Sequence, residues 1–168
     1  MSRAFVKEPD GDESAGELQD LPLSPHANYV TPAGLAQLEA RLAAFEAERE
    51  ALTVKAGDLA FRPALARLAR ETRYFEARIA SAILVDPAGQ PAGRVAFGAI
   101  VRVADEEDRQ REVQIVGEDE ADPDHGKVSW VSPLARALAD AQVGDPVTWR
   151  RPTGDMELEI LEIRYPED

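Results

Sequence analysis

The chain has 168 residues, of which 44% are hydrophobic and 30% charged, and its net charge is −13. This negative balance argues against a partner held mainly through its phosphates, and the lack of cysteine excludes disulfides and thiolate metal sites. Because the sequence has no signal-peptide core and no apolar run of about 18 residues, we expect a soluble cytoplasmic protein without membrane contact.

Residues 1–30 are predicted to form an amino-terminal arm. They are rich in Pro, Gly, Asp, Glu and Ser and contain few large apolar side chains. Such a composition buries too little apolar surface to fold alone, so we expect the arm to be extended or partly disordered.

Residues 31–86 are predicted to form two antiparallel helices. Thr31-Pro32 is a typical helix start, and apolar residues then recur every three or four positions, which is typical of a coiled-coil seam. Gly57 ends the first helix near Lys55, and Pro63 places the start of the second near Arg62, so the tip lies near 56–61. The second helix is expected to continue to about Leu84. The seam contains Leu35, Leu38, Leu42, Phe45, Leu52, Phe61, Leu65, Leu68, Phe75 and Ile79.

Residues 87–94 read as a linker, and 95–168 as a sheet domain. Five β-rich segments are separated by Asp, Glu, Gly and Pro: FGAIVRVA, REVQIVG, KVSWV, PVTW and MELEILEIRY. SPLARALA, between the third and fourth, is a short helix opened by Ser132-Pro133. The predicted fold class is therefore α+β, a helical hairpin followed by an antiparallel sheet domain with one short helix.

The loop 117–125, GEDEADPDH, carries five carboxylates and one histidine. A metal site or an acid–base pair is one interpretation, but the spacing matches no calcium loop. His26 and His125 are too few for a histidine metal site, so a solvated loop between strands is the favoured interpretation. No phosphate-binding loop, nucleophile elbow or zinc-protease motif is present, and we do not expect catalysis by this chain alone.

The second helix also carries five arginines. Arg67, Arg70 and Arg78 could share a broad basic face that meets nucleic acid. The alternative is that they are the soluble side of a coiled coil, paired with nearby glutamates.

The chain resembles the bacterial Gre transcript-cleavage factors, and the likeness covers most of its length. It rests on RAFVKE, NYVTPAGLAQL, GDL, FEARIASAILVD, FGAIVRV, IVGEDEAD, SWVSPLARAL, VGDPV and ELEILEIRY. The resemblance implies an antiparallel coiled coil, an FKBP-like carboxyl-terminal domain and a bacterial RNA polymerase partner. In that family the globular domain docks at the rim of the secondary channel and the coiled coil enters it. Ser132, Pro133 and Arg136 would then bind polymerase, Arg67 and Arg70 would lie near nascent RNA within the complex, and Asp58 would be the tip carboxylate.

The family's tip also carries a glutamate, which helps hold the second Mg²⁺ of the polymerase; the factor has no cofactor or metal of its own. Phe61 stands at that position here, and both arms are about one heptad short, which removes about 10 Å of reach. We therefore predict a factor that binds at the secondary channel and regulates elongation or initiation, with weak or absent cleavage stimulation. The alternatives are a working cleavage factor using Asp58, an FKBP-like peptidyl-prolyl isomerase, and an adaptor whose rod binds another coiled coil.

Overall fold

The computed structural model describes residues 18–55, 57 and 59–167. Helix α1 covers Pro32–Thr53, and the Thr31 hydroxyl accepts the Gly34 N–H at 2.9 Å as its cap. A short 3₁₀ turn, Leu59–Phe61, leads into helix α2, Arg62–Ala80. Both helices therefore begin where the Thr-Pro and Arg-Pro signals place them.

Helices α1 and α2 run antiparallel and pack against each other. The Phe45 and Phe75 rings lie 5.4 Å apart, while Arg67 pairs with Glu48 at 3.5 Å further towards the tip. Leu38 and Phe75 are buried between the helices. Knobs-into-holes coiled-coil packing remains a prediction.

Helix α2 is shorter than predicted, because it ends at Ala80 and not near Leu84. Ile83–Leu84 form strand β2, which pairs in parallel with strand β1, Tyr29–Val30. The N–H of Ile83 donates to the Asn28 carbonyl at 2.8 Å. Strand pairing thus satisfies backbone groups that a continued helix would have used, and it joins the predicted arm to the predicted hairpin. Residues 1–17 of that arm lie outside the described residues.

The remaining strands form one five-stranded sheet in the order β5-β4-β3-β7-β6. Their bounds are Ile100–Asp105 (β3), Gln110–Val116 (β4), Lys127–Ser129 (β5), Pro146–Trp149 (β6) and Met156–Arg164 (β7). The prediction of an antiparallel sheet is wrong at one edge, where β4 and β5 are parallel. The segment 117–126 makes this parallel pairing by crossing away from the sheet before the chain returns as β5.

Helix α3, Pro133–Leu138, covers one face of this sheet. Val101 and Val103 of β3 point into the core while Arg102 between them is exposed, as expected for a half-buried strand. Leu134 and Leu138 supply the apolar side of α3 and are 5% and 0% exposed. The α+β class is confirmed, and the core lies between α3 and the sheet.

None of the helices in residues 18–55, 57 and 59–167 is long and apolar enough to cross a membrane.

Candidate functional site

The acidic loop after β4 packs against α2, so the interpretation of a solvated loop is wrong for its first half. Asp119 accepts two hydrogen bonds from α2, one from Arg78 Nε at 2.6 Å and one from the Tyr74 hydroxyl at 2.6 Å. A carboxylate with two such donors is held in place by the helix and not by water. This segment therefore fastens the sheet to the helical pair.

Arg78 lies at the centre of these contacts and is 3% exposed. Its Nη2 donates to the side-chain oxygen of Asn28 at 2.8 Å and lies 3.9 Å from a Glu118 oxygen. Asn28 in turn donates to the Arg78 carbonyl at 2.7 Å. Arg78 therefore does not belong to an exposed basic face, contrary to that part of the sequence interpretation.

Glu120 makes the second half of the connection, at the start of α1. The Thr31 hydroxyl lies 2.7 Å from its nearer oxygen, to which it donates, while accepting the Gly34 N–H as the helix cap. A methyl group on Gly34 would lie 2.9 Å from the Glu120 carboxylate, so only glycine fits without displacement. Glu120 is 7% exposed, and the nearby Lys127 Nζ is 4.0 Å away. We call the contacts of Thr31, Tyr74 and Arg78 with residues 118–120, together with the hydrogen bonds between Asn28 and Arg78, the joint.

The arm and the sheet also meet through aromatic rings beside the joint. Tyr29 lies 5.1 Å from Trp130 and 5.8 Å from Phe97, measured between ring centroids. Gly117 packs directly on the Tyr29 carbonyl, where any side chain would collide with backbone. β1 therefore packs directly against the start of the acidic loop.

The titration of Tyr74, within the joint, is clearly perturbed. Burial raises its pKa to about 12, and the hydrogen bond and negative charge of Asp119 act in the same direction. The hydrogen bond and the charge of Asp119 raise the pKa because an ionised Tyr74 would no longer donate to Asp119 and would be repelled by it. Tyr74 consequently stays a hydrogen-bond donor to the joint at neutral pH.

Ser132, Pro133 and Arg136 come together at the exposed turn that opens α3. The Ser132 hydroxyl accepts the Ala135 N–H at 3.3 Å, so it acts as the helix cap, and Pro133 occupies the first helical position. Pro133 and Arg136 are exposed. The three residues therefore form one surface, which we call the α3 turn; its binding role remains a prediction.

The hairpin tip is described only in part, and Asp58 lies outside the described residues. Its neighbour Leu59 is 66% exposed. Phe61 is half-buried, with Lys55 Nζ 5.8 Å from the centre of its ring. Phe61 offers no oxygen ligand, so the described tip does not supply the second metal-binding acid.

Arg67 and Arg70, the predicted RNA-proximal residues, lie near each other on α2 but have different surroundings. The Arg67 side chain is 46% exposed and pairs with Glu48 on α1. Arg70 is 27% exposed, lies 3.8 Å from Glu71, and its Nε is buried without a hydrogen-bond partner in the described part of the chain. The two do not form one continuous exposed patch.

The described residues offer no cluster of three or more Asp, Glu or His able to hold a metal ion. His125 Nδ1 contacts Asp122 at 2.6 Å, but the histidine is 77% exposed in its side chain. A cavity of about 260 Å³ opens between α3 and the sheet, with Trp149 the single aromatic among its described lining residues. Arg111 and Arg151 lie over that ring, 5.4 and 5.2 Å from its centre. The other described lining residues are apolar or charged, apart from the neutral amide of Gln110.

Part of the chain matches a known protein family. Residues 90–165 match the family described as "Transcription elongation factor, GreA/GreB, C-term". Over that stretch the chain is similar to the Gre family of transcription elongation factors. The match includes the α3 turn and the whole five-stranded sheet.

Individual curated relatives agree with this match. It is 42% identical over 97 residues to transcription elongation factor GreB of Neisseria meningitidis serogroup B, covering 57% of this chain and 60% of that protein. It is 50% identical over 93 residues to transcription elongation factor GreA of Alkalilimnicola ehrlichii, covering 54% of this chain and 58% of the relative. The chain thus spans about 60% of the length of the curated relatives it matches.

Solved structures of similar proteins include the elongation factor GreA/GreB from Nitrosomonas europaea. It is 24% identical, covering 82% of this chain and 99% of that one, with a TM-score of 0.41. The Gfh1 protein of Thermus thermophilus is 22% identical, covering 83% of this chain and 99% of its own, with a TM-score of 0.40.

Sequence reasoning found the α3 turn but missed the joint. The sequence signal for the joint was GEDE, a run of acids that follows directly on a buried strand. A strand that is buried to its last residue places the residues after it against another part of the protein. Val116 and Gly117 are both buried, and Arg78 was the basic residue to pair with this run.

Proposed function

We propose that this chain is a Gre-family factor that binds bacterial RNA polymerase and regulates transcription elongation or initiation. The observation that carries the proposal is the family match over residues 90–165, which contains the exposed α3 turn of Ser132, Pro133 and Arg136. In this proposal the FKBP-like sheet domain docks through the α3 turn at the secondary-channel rim. The α1–α2 pair, acting as a coiled coil, enters the channel and lies near nascent RNA.

The joint supports a fixed geometry between the docking surface and the tip. Arg78 and Glu120 are buried charged groups with specific partners, and such groups have few alternative arrangements of comparable free energy. Helix α1, at 22 residues, is about 33 Å long. A rod of that length set at a fixed angle can fill a channel reproducibly.

The tip favours regulation without strong cleavage. Phe61 stands where the family carries the glutamate that helps hold the polymerase's second Mg²⁺, and it is half-buried at the start of α2. The reach predicted from sequence is also about one heptad short, whereas efficient catalysis loses about 100-fold for a misplacement of about 1 Å. The second candidate is cleavage of backtracked RNA through Asp58.

A cleavage assay on backtracked elongation complexes separates these two candidates. We expect little RNA shortening by the wild-type chain, and Phe61→Glu to increase it if the missing acid is the limiting factor. Leu59→Glu, an acid at an exposed neighbouring position, is the matched control. Robust cleavage by the wild type that Asp58→Ala abolishes would establish the second candidate and end the first.

A binding measurement tests the docking surface. Arg136→Glu is expected to weaken binding to core polymerase by about tenfold or more, as expected for an anchor at the centre of an interface. Arg102→Glu reverses another exposed arginine, in β3, and should change affinity far less. Equal effects of the two variants would remove the α3 turn from the interface.

Two other classes of function, a peptidyl-prolyl isomerase and a coiled-coil adaptor, can be distinguished from the proposal by experiment. For an isomerase, the chain should accelerate cis–trans exchange in a proline peptide, but fold alone does not carry that activity and the cavity has one aromatic residue. For a coiled-coil adaptor, pull-down from bacterial lysate at low salt should recover other proteins and no polymerase subunits. Recovery of polymerase subunits is the outcome that the proposal requires.

A further inference from the structure

The cavity between α3 and the sheet is lined largely by apolar side chains. Val103, Leu134, Met156 and Leu158 supply aliphatic or thioether surface, and the half-buried Trp149 contributes its ring. The cavity volume is about 260 Å³, whereas an apolar cavity of about 150 Å³ already admits benzene. There is therefore room for an aromatic ring that carries a short side chain.

Arg111 lies at the exposed end of this cavity, on the core-facing side of β4. It is in register with Val103, and directly opposite residues of antiparallel strands share one face of the sheet. Val113 and Ile115 continue the same face and are 2% and 4% exposed, whereas Arg111 is exposed. A cation therefore ends a row of buried aliphatic residues and lines the cavity beside them.

The charge of Arg111 is not neutralised within the described part of the chain. On the outer face of the sheet, Arg102 pairs with Glu162 at 2.9 Å. Arg111 forms no such ion pair with a residue that the structure describes. Its guanidinium instead lies 5.4 Å from the centre of the Trp149 ring, and the guanidinium of Arg151 lies 5.2 Å from the same centre. This side of the cavity therefore carries excess positive charge.

The carboxylate that also lines the cavity, Asp105, already has its partners. Arg109 Nε donates to it at 2.9 Å, and the backbone N–H groups of Glu107 and Arg109 donate at 2.9 and 3.0 Å. Arg109 is neutralised in the same contact. Among the described lining residues, Arg111 is then the charged group without a counter-ion, so a complementary ligand combines an apolar body with a negative charge.

We propose that this cavity binds a small aromatic carboxylic acid, with the ring beside Trp149 and the carboxylate on the guanidinium of Arg111. A guanidinium can donate two parallel hydrogen bonds to a carboxylate, which fixes the orientation of the acid. Because Leu134 directly follows Pro133, the bound acid lies against the base of the α3 turn. This inference concerns the chain itself and holds whether or not the chain binds polymerase.

Phenylpropionate and its neutral amide, phenylpropanamide, are suitable probes because they have nearly the same shape and differ in charge. Binding to the full chain can be followed by NMR through the indole N–H signal of Trp149, which Trp149→Phe identifies by its loss. We expect both probes to shift this signal. The acid should bind about tenfold more tightly than the amide, with a Kd of about 1 mM or below.

Two variants separate the charge from the cavity. Arg111→Gln, at an exposed position, should weaken binding of the acid about tenfold and leave binding of the amide unchanged, while Arg102→Gln on the outer face should alter neither. Met156→Trp fills the cavity and should weaken binding of both probes, with an otherwise unchanged amide spectrum as the check on folding. Equal affinities of wild type for acid and amide, full acid binding by Arg111→Gln, or no shift of the Trp149 signal would overturn the proposal.

Discussion

Two arginines of α2 each lie at the same Nε–Oδ distance from an aspartate but differ in burial, which allows a controlled measurement. Arg78 Nε lies 2.6 Å from Asp119, and Arg73 Nε lies 2.6 Å from Asp20. The side chains of the first pair are 4% and 14% exposed, and those of the second are 44% and 70% exposed. Any difference in their effect on stability therefore comes from burial and from the additional partners in the joint.

Replacing each arginine by methionine keeps the aliphatic stem and removes the charge. Arg78→Met should lower the free energy of unfolding by about 3–5 kcal/mol, because it leaves a buried carboxylate without its cation. Arg73→Met should cost no more than about 1 kcal/mol, because water and salt already screen that pair. For a chain of this size, 1 kcal/mol corresponds to a shift of about 2–4 °C in Tm.

Urea unfolding followed by Trp130 fluorescence measures both effects, since Trp130 packs beside the joint and Trp149→Phe removes the other tryptophan. A double-mutant cycle of Arg78→Met with Asp119→Asn should give a coupling of about 1–3 kcal/mol. Equal costs for the Arg78 and Arg73 variants, or a coupling near zero, would refute the view that burial makes this pair structural.

Three further predictions concern the same region. Thr31→Ala should lower the free energy of unfolding by about 2–4 kcal/mol, because it removes a helix cap and leaves Glu120 without one hydrogen-bond donor. Thr31→Ser keeps the hydroxyl and should lower it little in the same urea titration. Gly117→Ala should cost about 1–3 kcal/mol through its collision with β1, while Gly89→Ala, with open space around it, should stay within about 0.5 kcal/mol. The stability that protonated Tyr74 contributes is complete below its ordinary pKa of 10.0 and lost as pH rises towards about 12. The free energy of unfolding of the wild type should therefore fall relative to that of Tyr74→Phe between pH 10.0 and about pH 12. Parallel curves of unfolding free energy against pH for the two proteins would contradict this.

Local signals in the sequence predicted most elements, because each signal acts within a few residues. Thr31-Pro32 and Ser132-Pro133 cap their helices as expected, since capping needs only the next turn of backbone. The seam rhythm through Ile79 predicted α2 but not its end. That end depends on β1, which lies some 50 residues earlier and supplies the partners of β2.

The missed features are all contacts between distant segments. Asp119 is 41 residues from Arg78, and Glu120 is 89 residues from Thr31. A run of acids has no local preference that distinguishes water from a buried partner, so composition favoured the solvated interpretation. The parallel β4–β5 pair has the same origin, because the loop between these strands first visits the joint.

The path of the chain connects the joint directly to the α3 turn. Glu120 and Ser132 are joined by a crossover and the three-residue strand β5, which is hydrogen-bonded to β4. β4 ends at the joint. The α3 turn is therefore connected to the hairpin through paired strand backbone and the buried charges of the joint, and this route contains no glycine-rich linker. On a helix of about 33 Å, a rotation of about 10° at the joint would move the tip by about 6 Å. A regulator that acts by placing this tip therefore needs the joint to be stiff, and the buried Arg78 and Glu120 are the residues that stiffen it.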